Sequence, residues 1–261
     1  MMRGYGSNPA VGSWSGVNLN GAGSEASSIR YLKLSDATTG LRVSGTGLNA
    51  LEPINLVGLE VTNTSSHGIT MSNSRVELTG ADLEDIGEDG VVITNSEVTA
   101  SGVNILNYGS DGIFVEGSNS EVTVTDSEID QQSSSLVRTG NGVFVHNRAD
   151  LELTGNRITR CSVGVYVFNN YISNNSGNYP PIVVAAGNEI IQNSDGVRVT
   201  GRRVSYSPSS PVDYPLVDFT GNDIYGNVDW NVNLETGTNP SSTLLNFTNN
   251  WWGTVEREEI D

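Results

Sequence analysis

Phe114, Phe144 and Tyr166 each stand two residues beyond a glycine, in Gly112-Ile-Phe-Val, Gly142-Val-Phe-Val and Gly164-Val-Tyr-Val. Two positions further on come Glu116, His146 and Phe168. In an extended chain, residues two apart share a face. The alternation therefore predicts an outward aromatic row with a second, mixed row beside it. Flat apolar rings next to forked guanidinium groups suit a sugar polymer, because rings take apolar sugar surface and Arg takes carboxylates or sulfates. Arg138, Arg148, Arg160, Arg198, Arg202 and Arg203 are half of the twelve arginines, and a coiled arrangement gathers them near these strands. The expected ligand-binding residues are Phe114, Glu116, Phe144, Phe168, Arg138, Arg160 and Arg202. Two readings of the set stand. Either it is a ligand groove, or long loops cover the rings while Asp and Glu neutralise the arginines.

Bond cleavage asks for more than a groove. β-Elimination from a uronic acid needs a cation for the carboxylate and a base for the C5 proton. Arg198 or Arg160 can supply the first, and His146 or Tyr166 the second. His146, Tyr166 and Arg198 are thus the expected catalytic set if the face is catalytic at all, which stays open. Hydrolysis usually needs two carboxyls about 5 to 9.5 Å apart. Asp89 and Asp111 fit that spacing but sit beside Val92 and Thr94, away from the aromatic rows. Stacked on one another, they would raise one pKa or attract Ca²⁺. A calcium site at Asp89 and Asp111 is the only metal expectation, and no cofactor is required. An eliminating enzyme is favoured over a hydrolase.

The net charge of −17 disfavours wholesale binding to nucleic acid or anionic membrane. No apolar run is long enough for a transmembrane helix. Cys161 is the only cysteine, which excludes an internal disulfide and a Cys-based zinc site. Thirty glycines with abundant Ser, Thr and Asn favour strands and turns over helices.

What must position these residues is a repeat. An apolar alternation ending in Gly, Asn or Asp recurs, as in Val76-Glu-Leu-Thr-Gly80, Leu151-Glu-Leu-Thr-Gly155 and Val217-Asp-Phe-Thr-Gly221. Gly58, Gly80 and Gly102 set the minimal period at about 22 residues. Each unit holds three short β-rich runs separated by turn residues, with no sustained helical stripe. A leucine-rich repeat shares the period, but the Gly-apolar-x-apolar return limb reads as a further strand. Stacked units bury one continuous core. The expected fold is all-β, a right-handed parallel β-helix with three strands per coil and nine or ten coils. Its expected bounds are 14–254, after an irregular 1–13 and before an acidic tail, 255–261.

These glycine and Gly-Asn-x-Ile motifs, with Trp14-Ser-Gly-Val and Asn249-Asn-Trp-Trp-Gly253, resemble the right-handed parallel β-helix repeat proteins. That group includes pectate-lyase-like folds. The resemblance implies a secreted or cell-surface location, and leaves the function undefined. The Asp-Pro-His sequence of some epimerase relatives is absent.

Three further expectations follow from stacking. Asn156, Asn188, Asn222 and Asn250 form a structural ladder in the left-handed turn. Glu60, Asp82, Asn104, Glu128, Arg157, Glu189 and Asp223 form a solvated column, with a cation site near Asp82, Glu84, Glu128 and Asp130 as the sharper alternative. Trp251 and Trp252 plug one end, while the open first coil awaits a partner or a further domain. The primary expectation is an extracellular module that binds an extended, anionic polysaccharide. A lyase, epimerase or hydrolase on the same face is the alternative, and a structural or adhesive segment of a larger surface protein is a third.

Overall fold

The alternating runs become strands wherever their apolar members can all face one interior. In a computed structural model, described over residues 2–3, 10–21, 27–45, 52–132, 139–169, 180–203, 212–235 and 245–253, they form three sheets of nine strands each. Every pairing within these sheets is parallel and joins one coil to the next. One coil reads Asp82–Ile86 in sheet one, Val91–Thr94 in sheet two and Glu97–Ser101 in sheet three. This is a three-strand parallel β-helix. A short antiparallel pair, Arg202–Arg203 with Val212–Asp213, stands outside it.

Inward positions hold stacked branched side chains. Leu83, Ile105, Ile129, Ile158 and Ile190 make one fully buried column in sheet one, and Val115, Val145, Val167 and Val199 make another in sheet two. Each such side chain contributes about 1.5–3 kcal/mol on burial. The glycine that opens the sheet-two strands from Val17–Asn20 to Asp195–Thr200 is required by closeness. A Cβ on Gly142 would strike Ile158 Cγ2 and the Gly164 carbonyl.

The asparagine ladder is present, by a different backbone route than expected. The left-handed residues are Gly155, Gly187 and Gly221 (φ 67°, 65° and 68°) and Asn249, each one place before the ladder residue. Asn156 Nδ2 donates to Asn188 Oδ1 at 3.0 Å, Asn188 to Asn222 at 2.9 Å and Asn222 to Asn250 at 3.1 Å. Each Oδ1 in turn accepts a backbone N–H of the coil below. A second ladder, which the sequence reading passed over, links Asn193, Asn227 and Asn231.

The outward column of sheet one is in the expected register from Glu60 to Asp223. Lys33 pairs with Glu60, Asn104 donates to Asp82, and Arg157 bridges Glu128 and Glu189. Asp130 is buried and held by Arg160, which removes it from the cation site considered beside it. At the ends, two expectations change. Met2–Arg3, inside the segment expected to be irregular, pairs with the Lys33–Ser35 strand. Trp251 adds to the last coil, bridging Asp223 in parallel and setting its ring edge-on to Tyr225 at 4.5 Å, but Trp251 and Trp252 stay 44% and 40% exposed and cover that end only in part. The tail 255–261 lies outside the described residues.

Candidate functional site

Sheet two carries the predicted rows. Phe114, Phe144, Tyr166, Arg198 and Asn233 are in register on consecutive strands, as are Glu116, His146, Phe168, Thr200 and Glu235. All four aromatics are half-buried, between solvent and core. The rows exist because the inward Val, Ile and Gly positions leave the alternate positions outside.

Their packing corrects the expected chemistry. Phe144 and Tyr166 stack at 4.9 Å and 13°, and Phe144 and His146 at 5.0 Å and 13°. Phe114 meets Phe144 and His146 edge-on at 5.7 and 5.1 Å. Phe168 stacks on Tyr166 at 5.9 Å. The rings spend much of their faces on one another, because the spacing of stacked strands is close to a stacking distance. What the face offers a ligand is a continuous apolar ridge of ring margins.

The arginines are committed too. Arg198 Nε and Nη2 both donate to buried Asp195 Oδ2, at 2.9 and 2.6 Å, and its guanidinium lies 5.7 Å from the Tyr166 ring centroid. Asn233 donates to the same oxygen at 3.0 Å, and Glu235 stands 3.7 Å from Arg198 Nε. Arg160 sits at the corner between sheets one and two. It clamps Asp130 through Nε and Nη2, and that bond raises its pKa further. Of the expected ligand arginines, Arg138 lies outside the described residues, and Arg202 is placed by its backbone strand alone. Ion pairing therefore accounts for Arg160 and Arg198, and the reading of a free basic cleft loses both.

The expected catalytic trio shares one face on three consecutive strands. His146 Nε2 is 3.4 Å from Glu116 Oε2. Burial lowers the His146 pKa, with Glu116 and Asn147 opposing, so the imidazole is neutral at pH 7. The Tyr166 hydroxyl lies 3.3 Å from Thr200 Oγ1, which donates to Glu235 at 2.8 Å.

Asp89 and Asp111 are stacked as predicted, at the corner that opens sheet two. Asp89 Oδ1 accepts the Asp111 N–H at 2.9 Å, Asp89 Oδ2 faces His67 Nδ1 at 3.2 Å, and Asp111 Oδ1 accepts the Asn141 amide at 2.8 Å. Burial pushes the Asp111 carboxyl up to about 6. Burial also raises Asp89, but the bonds from His67 and the Asp111 backbone outweigh it and the net shift is downward. Ca²⁺ takes six to eight oxygens. These carboxylates are already engaged by protein donors and do not fit it. Among the described residues no group of three or more His, Cys, Asp or Glu is arranged around a metal position.

Sequence reasoning missed a second feature. Sheet three carries an open groove of about 480 Å³, lined in part by Glu97, Glu121, Asp150, Glu152, Ile182 and Val184. Burial, then Glu121, raises the Asp150 carboxyl. Its signal was the acid that opens several sheet-three runs, as in Glu97, Glu121 and Asp150.

Fold and face together define a parallel β-helix with an aromatic outer ridge. The chain belongs to the right-handed β-helix family, whose model, described as the right handed beta helix region, matches residues 15–178. Among solved structures, the A-module of the mannuronan C-5 epimerase AlgE4 from Azotobacter vinelandii aligns over 81% of this chain and 75% of its own, with 14% identity and a TM-score of 0.37. No curated protein matches the sequence.

Proposed function

We propose that this protein binds an extended polysaccharide along the sheet-two ridge without cleaving it. The observation behind this reading is the run of Phe114, Phe144, Tyr166 and Phe168, partly exposed and unbroken over three coils, with the largely buried His146 packed among them. Apolar surface of that length on an outer face fits a polymer better than a small molecule, which prefers a concave pocket. Flanking Thr94, Glu116, Asn233 and Thr200 supply hydrogen-bonding groups for hydroxyls along it.

Two expectations are revised within the proposal. Arg160 and Arg198 are neutralised by buried Asp130 and Asp195, and Glu116 and Glu235 add negative charge to the ridge. A polymer of low charge therefore suits the face better than a strongly anionic one. The same pairing argues against elimination, because a guanidinium held by a buried carboxylate is poorly placed to neutralise a uronate. An extracellular location accompanies this reading.

Native electrophoresis through gels containing neutral glucan, galactan, alginate or pectate tests it. Retardation in a neutral gel, lost in the Phe144→Ala/Tyr166→Ala double variant with a folded circular-dichroism spectrum, is the expected result. Equal retardation of parent and variant would sink it. Ultraviolet absorbance from an unsaturated product would replace binding by elimination at His146, Tyr166 and Arg198.

A further inference from the structure

Among the described residues, sheets two and three each start and end on a strand with one unpaired edge, while the last strand of sheet one is bridged in parallel by Trp251 alone. The first coil contributes Met2–Arg3, Val17–Asn20 and Ser28–Arg30, and the last contributes Asp223–Tyr225, Trp230–Glu235 and Leu245–Asn246, in the same order around the axis. Among the described residues, both ends also leave core partly uncovered. At the first, Val17, Leu19, Ile29 and Leu32 pack on the core and are only half-buried. At the last, Trp230 and Leu234 occupy inward register positions, above Asp195 and Val199, yet are 61% and 39% exposed. Val228, Trp251 and Trp252 widen that apolar end.

The ends also differ in charge. Over the first two coils, residues 2–57, the chain holds Arg3, Arg30, Lys33 and Arg42 against Glu25, Asp36 and Glu52, a slight positive excess. From Val212 to Gly253 the chain holds Asp213, Asp218, Asp223, Asp229 and Glu235 and no Lys or Arg. Like ends repel, and unlike ends attract.

We propose that the last coil of one molecule docks on the first coil of a second copy, head to tail, continuing all three parallel sheets across the junction. The core of each end then receives the layer it lacks, and the exposed strand edges gain partners. Such a contact is heterologous and does not close, so it builds rods rather than a defined dimer. It is independent of the glycan ridge.

Sedimentation velocity over a concentration series at low salt tests the contact in the whole chain. Two blocked variants separate the geometries: Leu19→Lys for the first coil, and Trp230→Lys/Leu234→Lys for the last, each checked for parent-like circular dichroism. The expected result is parent rods that lengthen with concentration and an Arg30→Glu variant that associates about tenfold more weakly. Each blocked variant alone stays monomeric, and their mixture stops at a one-to-one complex. A parent that is monomeric throughout overturns the proposal, since the chain then covers its own ends. Dimers formed by Leu19→Lys alone overturn it as well, because they require contact between two last coils.

Discussion

Asp111 shows how one side chain couples packing to solution conditions. Its folded pKa of about 6 stands above the ordinary 3.8 because burial penalises the charge. The fold therefore binds this proton more tightly than the unfolded chain does. The penalty is absent below about 3.8, grows as pH rises, and is complete above about 6. Asp111→Asn keeps an acceptor for Asn141 and removes the charge. It should stabilise the protein by about 1 to 2 kcal/mol at pH 7.5 and by little at pH 4, as chemical denaturation at the two pH values would show. His67 has the same sign for another reason. Its bond to Asp89 raises its pKa above 6.5, so its contribution is whole below 6.5 and fades as pH rises through the folded value. A His67→Gln variant should accordingly lose stability relative to the parent in acid and converge on it in alkali. Of the site residues, Phe114, Phe144, Tyr166 and Phe168 were legible because a period of two decides which side faces out. The partners of Arg160 and Arg198 were not. Asp130 lies one coil away in space but 30 positions away in sequence, and Asp195 stands three positions before Arg198, an odd separation that places the two on opposite faces of an alternating strand.

At the scale of the element, the stack rests on corners as much as on strands. Asn188 donates to Asn222 and to the Leu153 carbonyl while accepting the Asn156 amide. It is 1% exposed, so truncating it strands buried polar groups from two other coils. Asn188→Ala should cost roughly 2 to 4 kcal/mol, more than truncating any partly exposed Asn of the sheet faces; urea midpoints of the two kinds of variant decide. Gly142→Ala should be at least as damaging, because the clash is with backbone and a core isoleucine rather than with a flexible tip. The ladder was readable from the recurring Gly-Asn pair. The conformational roles within that pair were reversed, since Gly takes the left-handed turn and leaves Asn free to point inward.

For the molecule as a whole, coils contact chiefly their neighbours, so stability is distributed along the axis and not pooled in one core. In dilute solution, hydrogen exchange should be slowest in Asn141–His146, which has neighbours on both sides, and fastest in Trp230–Glu235, which has one. Equal protection would mean that the ends are covered. The amino-acid sequence by itself determined the winding, the three-strand coil and the residues on the outer ridge. Those features depend on a local period and on self-similarity, both of which are written linearly. Only the tertiary structure decided that the ridge rings stack on one another, that its arginines are neutralised, that Asp89 and Asp111 are engaged by protein donors, and that the terminal tryptophans stay exposed. Each of these depends on which side chains meet across a gap between coils, a distance that insertions between repeats make unreadable along the chain.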